Sequence, residues 1–433
     1  MNLVELVRKA GVVGAGGAGF PTYVKLQSKP ELIIVNGAEC EPLLYVDQYL
    51  MNEYSEVLIE TLENIRQFTG AEKAIFALKE KYQNAWDSLS KASRKLSNIE
   101  LFPLGSYYPT GDEHVLVYDV TGKTIPPGGI PIDIGIVTIN VETLFNVSKA
   151  MKGEPVINSF LTLTGEVDPP VTLSVPIGTV MGDLLKRYSK RISPGVTILD
   201  GGPMMGFIRK KDASIVKTTK GLILLNENHP LIKRRLATDE SILKIARSVC
   251  CHCNFCTENC PRYLLGHKLE PHRIMWGMSM GDIDKAQILS SVELCCQCGI
   301  CELWACPMEI SVRTLIGRLK STPGEKTLDK TDMGVHYEYN DRRIPTSRLV
   351  ARVGLTKYDK PAPFRNDEWI PKKVKIPLKQ HIGVPASPVV KVGDNVEQGQ
   401  VIGDVPEDKL GVPVHASIFG QVTGIDGVIT IER

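Results

Sequence analysis

The sequence has no excess of charge of either sign and no long apolar run. It contains 51 basic and 49 acidic residues, a balance that gives no electrostatic reason to expect a nucleic-acid partner. No stretch approaches the roughly 18 uninterrupted apolar residues that a membrane-spanning helix needs, so we predict no membrane span. The first residues carry Glu5, Arg8 and Lys9 within their apolar part, which is not the pattern of a signal peptide. We therefore expect a cytoplasmic protein.

Size and composition predict several packed domains. A chain of 433 residues is long for one hydrophobic core, and a hydrophobic content of 43% is sufficient for folded domains. The 38 glycines and 28 prolines are dispersed along the chain. This dispersal predicts many turns and β-rich modules instead of a disordered region.

Ten of the eleven cysteines lie between residues 250 and 306, in two blocks that read CCHCNFCTENCP and CCQCGICELWACP. Each block supplies four regularly spaced cysteines followed by a proline: Cys250, Cys253, Cys256 and Cys260 in the first, and Cys295, Cys298, Cys301 and Cys306 in the second. The first spacing, C-x2-C-x2-C-x3-C-P, is typical of bacterial ferredoxins with two clusters. The second block has one extra residue before its last cysteine.

The resemblance to two-cluster ferredoxins implies crossed ligands, because the fourth cysteine of each block there binds the other cluster. The two expected [4Fe–4S] sets are Cys250, Cys253, Cys256 and Cys306, and Cys295, Cys298, Cys301 and Cys260. Cys251 and Cys296 are then not ligands. Zinc is the alternative, although the third cysteine of each block would be surplus to a four-ligand site. Disulfides are not expected in a cytoplasmic chain with an odd number of cysteines.

A glycine-rich segment, VVGAGGAGFPTYVKL, follows a helix predicted over residues 2–10. Glycines at this density let backbone N–H groups approach a phosphate, and the N-terminus of a following helix adds positive potential. The segment is not the usual dinucleotide-binding fingerprint, because no strand precedes it. An ordinary turn is the alternative interpretation.

Strands and helices alternate over the rest of the first 150 residues, which predicts a parallel sheet. The predicted strands are 32–35, 74–78, 99–104 and 135–139, and the predicted helices span about 43–68 and 80–96. Polar residues follow the first of these strands in NGAECEP and the last in NVETL. Such positions lie where α/β sheets bind ligands.

Four segments in this region resemble the NADH- and flavin-binding subunit of respiratory complex I and its relatives, which include the C subunit of the Rnf complex. They are GAGGAGFPTYVK at 14–25, NGAECEP at 36–42, YPTGDE at 108–113 and NVETL at 140–144. In that family the corresponding segments surround one FMN and the nicotinamide of NADH, and they occur in the same order. The resemblance therefore implies a multidomain α/β protein that begins with a complex I flavoprotein-like domain over 1–150.

The resemblance also implies two sets of cofactor-binding residues. The FMN set is Gly14, Gly16, Gly17, Lys25, Asn36, Glu39, Asp112, Asn140 and Thr143. The NADH set is Phe20, Glu41, Tyr108 and Glu113, in which the aromatic rings stack and the carboxylates bind ribose hydroxyls. Two positions depart from the complex I pattern, since Ala15 stands where complex I has an arginine and Ala38 where it has an aspartate. The pattern therefore supports FMN more directly than NADH.

Three further modules and a linker are predicted. Residues 151–230 have short alternating strands around one helix and resemble the soluble-ligand-binding β-grasp domain that follows the flavin domain in this family. Residues 235–322 are expected to form the helical two-cluster ferredoxin domain, and the charged, proline-containing stretch 323–368 is expected to be a linker or a segment that wraps around the other domains. Residues 369–433 resemble a barrel-sandwich hybrid of the biotinyl/lipoyl type.

The order of these modules separates the relatives. In the Rnf complex's C subunit the barrel-sandwich module precedes the flavin domain, whereas here it is last. That order resembles the cobalamin reductase family of propanediol-utilisation microcompartments, over essentially the whole chain. The resemblance implies NADH-dependent electron transfer through FMN and two [4Fe–4S] clusters to cob(III)alamin or cob(II)alamin, in support of a B12-dependent diol dehydratase.

The chemistry implied is electron transfer, and we expect no residue that acts as a general acid or base. A flavin converts the hydride of NADH into single electrons, which iron–sulfur clusters accept. The implied partners are cobalamin, an adenosyltransferase and the shell proteins of a microcompartment, with which the chain would associate in the cytoplasm; a homo-oligomer is a further expectation. The alternative function is an Rnf C-like subunit that passes electrons between NADH and ferredoxin or a partner complex.

Overall fold

A computed structural model describes residues 2–188, 190, 192–280, 291–321, 328, 330–366 and 369–433. The parts of the predicted modules and linker that fall on other positions lie outside the described residues. Within the described part, no helix has the length and apolar character needed to cross a membrane.

The first unit is a four-stranded parallel sheet covered by helices. Its strands in spatial order are Ile99–Leu104, Lys73–Lys79, Leu32–Gly37 and Ile136–Asn140. Its helices are Leu3–Lys9, Thr22–Leu26, Val46–Glu53, Ser55–Thr69, Gln83–Ser93, Glu113–Thr121 and Val141–Met151. The predicted strand–helix alternation is confirmed. The helix predicted over 43–68 is two helices, because Tyr54 leaves the helical conformation between them.

The register of this sheet brings the two predicted polar turns to one edge. Asn36 and Asn140 are paired neighbours at the carboxyl ends of adjacent parallel strands. Parallel strands end at the same edge of a sheet, so the residues that follow these two strands are neighbours as well. The flavin-type segments found in the sequence therefore converge at this edge.

A five-stranded mixed sheet follows. Its strands in spatial order are Val171–Pro176, Asn158–Gly165, Gly221–Asn226, Val196–Asp200 and Phe207–Arg209, and one helix, Met181–Arg187, packs with them. Asn158–Gly165 and Gly221–Asn226 are parallel, whereas the other neighbours are antiparallel. The predicted short strands and the helix near residues 180–188 are confirmed among the described residues.

The cysteines lie in a segment of short helices. The described helical elements are Pro230–Leu236, Asp239–Val249, Phe255–Glu258, Pro261–Leu264, Pro271–Met280, Cys301–Ala305 and Val312–Ser321. Their apolar faces form a core that includes Cys260, Cys301 and Cys306. The short helices arise because prolines start three of them and the cysteine loops interrupt the chain.

Part of the segment predicted as a linker packs against the other units. Ile344–Pro345 pairs with Tyr107–Tyr108, and the helix Thr346–Arg352 follows. Further along, Phe364 stacks on Tyr49 with ring centroids 4.0 Å apart, while the N–H of Thr172 donates to the carbonyl of Pro363. This stretch therefore joins the first sheet to the second.

The C-terminal module consists of two small antiparallel sheets. One contains Lys373–Pro377, Val428–Glu432, Gly420–Ile425 and Asn395–Val396, and the other contains Ser387–Pro388, Val401–Asp404 and Val414–His415. The module docks on the start of the chain: the N–H of Ile382 donates to the carbonyl of Gly19, and Arg8 donates to the carbonyl of Val405. One hydrophobic core continues from the first unit into this module.

A buried lysine bridges this junction. The ammonium of Lys217 donates to the carbonyls of Gly11 at 2.6 Å and Pro413 at 3.2 Å. Burial lowers the pKa of Lys217 to about 7. The pKa of an unfolded lysine is about 10.4, so between these values the folded chain binds fewer protons than the unfolded chain. The contribution of Lys217 to the free energy of unfolding therefore increases as the pH rises from 7 towards 10.

We predict that Lys217→Met flattens the pH dependence of stability. Between pH 7 and 9 the free energy of unfolding of the wild type should gain up to about 1.4 kcal/mol per pH unit relative to the variant. Denaturant unfolding at pH 7, 8 and 9 measures this difference. Lys152→Met, at an exposed lysine, is the control and should parallel the wild type. Parallel curves for Lys217→Met and the wild type would contradict the prediction.

Candidate functional site

The glycine-rich loop lies over the end of the strand Ile136–Asn140. The N–H of Ala15 donates to Oγ1 of Thr143 at 2.9 Å, and a Cβ on Gly16 would lie 3.5 Å from Cβ of Asn140. Gly17 has φ +112°, and a Cβ there would meet no atom within 4 Å. The loop thus presents backbone to an open space, which a side chain at either glycine would reduce.

Asn140 and Asn36 fix the edge of the sheet beneath this loop. Oδ1 of Asn140 accepts from the N–H of Glu142 and caps the helix Val141–Met151, while its Nδ2 donates to Asp47 at 2.8 Å. Nδ2 of Asn36 donates to the carbonyl of Gly111 at 2.9 Å. The structure therefore brings Gly16, Asn36, Asn140 and Thr143 together, with a helix N-terminus facing the loop.

Lys25 and Glu113 form a pair at the same edge. Nζ of Lys25 lies 3.2 Å from Oε1 of Glu113 and 2.9 Å from the carbonyl oxygen of Thr138. Burial raises the pKa of Glu113, but Lys25 and the Thr138 hydroxyl outweigh burial and lower it overall. Glu113 is therefore a carboxylate at neutral pH, and Lys25 supplies a positive charge next to the loop.

A buried charged cluster lies below the predicted ribityl region. Oε1 of Glu39 accepts from the N–H of Asp47, and Lys220 forms ion pairs with both Asp47 and Glu142. Burial, followed by repulsion from Asp47, raises the pKa of Glu39 to about 7. Sequence analysis missed Asp47 and Lys220, because Lys220 comes from the second sheet and no local pattern links it to this site.

Two of the predicted NADH contacts point away from the loop. Glu41 accepts from the N–H groups of Met204 at 3.0 Å and Met205 at 2.9 Å, and burial raises its pKa although these donors oppose the shift. Tyr108 is 1% exposed, and its hydroxyl donates to the carbonyl of Cys298 at 2.8 Å. The half-buried Phe20 ends the glycine-rich loop. Glu41 and Tyr108 are therefore bonded to the second sheet and to a cysteine loop, whereas Glu113 is bonded to Lys25 beside the glycine-rich segment.

The cysteines surround two cavities in the crossed grouping that the spacing predicts. A cavity of about 420 Å³, counted with its opening to solvent, is lined by the outer cysteine group: Cys250, Cys253, Cys256 and Cys306. A second cavity of about 330 Å³, counted in the same way, is lined by the inner cysteine group: Cys260, Cys295, Cys298 and Cys301. Cys251 borders the first cavity and Cys296 the second. None of the eleven cysteines forms a disulfide.

The backbone around both cavities is shaped to turn cysteines inward. His252, Asn254 and Gln297 have positive φ angles of 53°, 62° and 60°. Backbone N–H groups already point at sulfur, from Gln297 to Cys295 and from Ile310 to Cys306, both at 3.4 Å. Such donors are common around iron–sulfur clusters and tune their potentials.

The donor set fits a group that binds thiolates. Burial raises the pKa of Cys256 to about 12, and it raises the pKa of Cys260 and Cys301 further. A buried thiol loses its proton to solvent readily only when the sulfur binds a metal, whose positive charge compensates that of the thiolate. Among the described residues, no three His, Cys, Asp or Glu side chains converge on a single metal-ion position. The thiols are instead spread around two cavities.

The inner cysteine group is the one that adjoins the edge of the first sheet. Its members Cys260, Cys298 and Cys301 are buried, whereas Cys250, Cys253 and Cys256 of the outer group are partly exposed. Arg262, two residues after Cys260, donates to Asp112 at 2.9 Å. Asp112 also caps the helix Glu113–Thr121 through the N–H groups of His114 and Val115. Together with the Tyr108–Cys298 contact, this ion pair joins the two candidate sites.

Three family models match the chain in the order of these structural units. Residues 7–149 match the Nuo51 FMN-binding domain, residues 249–311 a 4Fe-4S dicluster domain, and residues 365–432 the RnfC barrel sandwich hybrid domain. The chain also resembles a solved NAD⁺-reducing [NiFe]-hydrogenase chain, with a TM-score of 0.52, 20% identity and coverage of 75% of this chain and 63% of that one. This likeness shows a shared complex I flavoprotein-like fold.

Curated relatives match at greater length. Cobalamin reductase PduS of Salmonella typhimurium is 40% identical over 438 residues, covering 99% of this chain and 96% of the relative, and PduS of Citrobacter freundii has the same identity and coverage. The C subunit of the Na⁺-translocating ferredoxin:NAD⁺ oxidoreductase complex of Acetobacterium woodii is 33% identical over 60% of this chain and 58% of its own length. Since the match to PduS spans nearly both chains, this chain belongs to the PduS cobalamin reductase family.

Proposed function

We propose that the chain is an NADH-dependent reductase that passes electrons through FMN and two [4Fe–4S] clusters to cobalamin. The observation that carries this proposal is the pair of crossed cysteine groups beside a flavin-type sheet edge, in a chain that is 40% identical to cobalamin reductase PduS over nearly its whole length. FMN, when bound, accepts a hydride and gives up single electrons, the step that lets NADH supply iron–sulfur clusters. The enzyme is an oxidoreductase.

The FMN site is formed by the loop and the edge of the first sheet. Gly14, Gly16 and Gly17 leave room for the phosphate region, while Lys25 supplies positive charge. The remaining residues assigned to the ribityl chain and ring are Asn36, Glu39, Asp112, Asn140 and Thr143. The position of Asn140 and Thr143 beneath the open loop, and of Asn36 at the same sheet edge, supports this assignment. The buried Asp47 positions Asn140 and Glu39 by direct contact, and Lys220 holds Asp47 through an ion pair.

The NADH site is assigned to Phe20, Glu41, Tyr108 and Glu113. Glu113 and Phe20 border the loop, which supports their part in the assignment. Glu41 and Tyr108 now bind the backbone of Met204, Met205 and Cys298. Contact of these two side chains with a nucleotide therefore requires those hydrogen bonds to open when NADH binds.

The cluster ligands are Cys250, Cys253, Cys256 and Cys306 for one cluster, and Cys260, Cys295, Cys298 and Cys301 for the other. The inner cysteine group receives electrons from the flavin side, because Tyr108 and Asp112 contact its loops directly. The outer cysteine group passes them on, since its cavity borders the exposed residues Cys251 and His252. Electrons thus move from the buried junction towards the surface.

The finer features of the proposal follow the same family resemblance. The division is 1–150 for the flavin domain, 151–230 for a β-grasp domain, 235–322 for the ferredoxin domain, and 369–433 for the barrel-sandwich hybrid after a 323–368 linker. The chain acts on cobalamin in the cytoplasm, in association with a microcompartment, its shell proteins and an adenosyltransferase, and supports a B12-dependent diol dehydratase. A homo-oligomer is part of the proposal.

A second candidate function is an electron-transfer subunit that serves a larger complex, as in Rnf. The observation that favours it is the 33% identity to the C subunit of the Acetobacterium woodii complex. The two functions differ in whether the chain alone oxidises NADH and reduces cobalamin.

Anaerobically purified chain should reduce cobalamin with NADH as the only electron donor. We expect NADH to bleach the flavin and cluster absorbance, and added cob(III)alamin to restore it while the corrinoid spectrum shifts to that of the reduced form. Stopped-flow absorbance measures both steps. Bleaching by dithionite but not by NADH would favour the Rnf-like function, and chain without flavin or acid-labile sulfide would refute both functions.

Lys25→Ala should weaken FMN binding by about tenfold or more, because it removes a charge-assisted contact at the phosphate end of the site. Flavin fluorescence after gel filtration measures the retained FMN. Lys73→Ala is the matched control, since Lys73 forms a comparable ion pair with Glu100 on a surface strand away from the loop. Equal FMN content in the two variants would remove Lys25 from the site.

Single cysteine variants should reveal the crossed ligation. Cys260→Ser and Cys301→Ser should abolish the same cluster signal in electron paramagnetic resonance, while Cys306→Ser should abolish the other. In each variant iron should fall from about eight to about four atoms per chain. Cys251→Ser, next to a ligand in sequence, should retain both clusters. A preparation with zinc and no acid-labile sulfide, or Cys306→Ser acting on the same cluster as Cys301→Ser, would contradict the assignment.

A further inference from the structure

We propose that the positive charge of Arg262 raises the reduction potential of the cluster held by the inner cysteine group. This inference rests on the proposed function, because it assumes that this group binds a cluster. Arg262 lines the cavity that Cys260, Cys295, Cys298 and Cys301 surround. It acts through the cluster and not on a substrate, so we assign it as a positioning and tuning residue.

The side chain of Arg262 is buried and held at one end only. It is 8% exposed, and Nη2 donates to Oδ2 of Asp112 at 2.9 Å. Nε and Nη1 are also buried, and neither has a hydrogen-bond partner in the protein. An arginine normally satisfies its buried N–H groups, so two unpaired donors at the wall of a cavity indicate an acceptor inside it. The sulfides and thiolates of a [4Fe–4S] cluster are such acceptors.

Asp112 fixes the direction of the guanidinium. Its Oδ1 accepts from the first N–H groups of the helix Glu113–Thr121, and its Oδ2 accepts from Arg262. Pro261 begins the short helix Pro261–Leu264 directly after Cys260, so the backbone of Arg262 is set by the cysteine loop itself. Arg262 is thereby anchored from both the flavin side and the cluster side.

Arg262 supplies the positive charge that pairs with Asp112 at this junction. An arginine guanidinium is charged throughout the physiological pH range. The two buried histidines near Arg262, His114 and His267, are neutral. His114 and His267 pack edge to face with ring centroids 5.0 Å apart. Burial, followed by repulsion from Arg262, lowers the pKa of His267 to about 4 and that of His114 to about 2. Neither imidazole carries a positive charge at neutral pH, so the local positive charge is that of the guanidinium.

The two cavities differ in charge. The residues that line the inner cavity include Arg262 and Arg313, whereas those that line the outer cavity include no arginine or lysine. Both terminal nitrogens of Arg313 are occupied by the carbonyls of Met204 and Met205, which leaves Arg262 as the arginine with free donors on two nitrogens. Reduction adds one negative charge to a cluster, and a nearby buried cation favours it.

Arg262→Gln tests the charge while it retains a polar side chain of similar reach. In anaerobic, mediator-based redox titrations followed by electron paramagnetic resonance, the potential of one cluster should fall. A tenfold change in its reduction equilibrium corresponds to about 59 mV for a one-electron couple, and we expect a change of this order. Cys301→Ser, which removes the inner cluster, identifies the signal that shifts. The potential of the other cluster should be unchanged.

Arg343→Gln is the matched control. Arg343 pairs with Asp119 at 2.8 Å, on the same helix that Asp112 caps, but it lines neither cavity. This variant should leave both potentials unchanged. A shift of both clusters by Arg262→Gln, an equal shift by Arg343→Gln, or unchanged potentials in Arg262→Gln would each overturn the inference.

Asp112→Asn gives a test of opposite sign, which applies even if Arg262→Gln loses its cluster. Asparagine still caps the helix, but the counter-charge of Arg262 is gone. The potential of the inner cluster should therefore rise, and a fall or no change would overturn the inference. The redox titrations use mediators and dithionite and need neither NADH nor cobalamin. If the cluster potentials shift as expected but NADH fails to reduce the chain, the result counts against the proposed function and not against the role of Arg262.

Discussion

The contact between the turn at residues 107–113 and the loops of the inner cysteine group fixes how the flavin side of the molecule faces the iron–sulfur side. Tyr108 reaches the carbonyl of Cys298, and Asp112 reaches Arg262. Redox centres exchange electrons only when the protein holds them close together, and both contacts come from a turn that also carries candidate flavin and nicotinamide residues. The stretch Ile344–Pro345 pairs with Tyr107–Tyr108 at the start of this turn and so helps to hold it in place.

The C-terminal module shows that position in the fold does not follow position in the chain. It is encoded last, yet it packs on the first helix and on the glycine-rich loop through Gly19 and Arg8. Its hydrophobic core is continuous with that of the first unit. A module encoded before the first unit could reach the same surface, because the docking site lies at the start of that unit.

The sequence predicted the features that depend on short-range patterns. Cysteine spacing gave the crossed grouping around two cavities, and strand–helix alternation gave the parallel sheet with Asn36 and Asn140 at one edge. Ion pairs between distant segments were not predicted. Lys220 and Arg262 meet Asp47 and Asp112 across more than a hundred residues, and no local pattern indicates such pairs.

The same limit explains the nicotinamide residues and the linker. Glu41 and Tyr108 match a family pattern, but their partners in this structure are backbone groups of the second sheet and of a cysteine loop, which the pattern does not contain. Residues 344–365 have the composition of a linker, whereas their packing depends on single contacts such as the stack of Phe364 on Tyr49. Composition reports the average polarity of a segment and not the surface that it meets.

Buried ion pairs between units contribute little net stability. Their presence here therefore needs a reason other than stability. Removing two charges from water costs several kcal/mol per ion, and apolar replacements of such pairs are often neutral or stabilising. Arg262–Asp112 and the pairs of Lys220 with Asp47 and Glu142 nevertheless lie at the two places where the flavin-type edge meets other units. An apolar contact would tolerate small sliding motions, whereas a directional charged contact selects one geometry. We infer that these pairs are retained because electron transfer depends on that geometry more than folding depends on the stability that apolar packing would add.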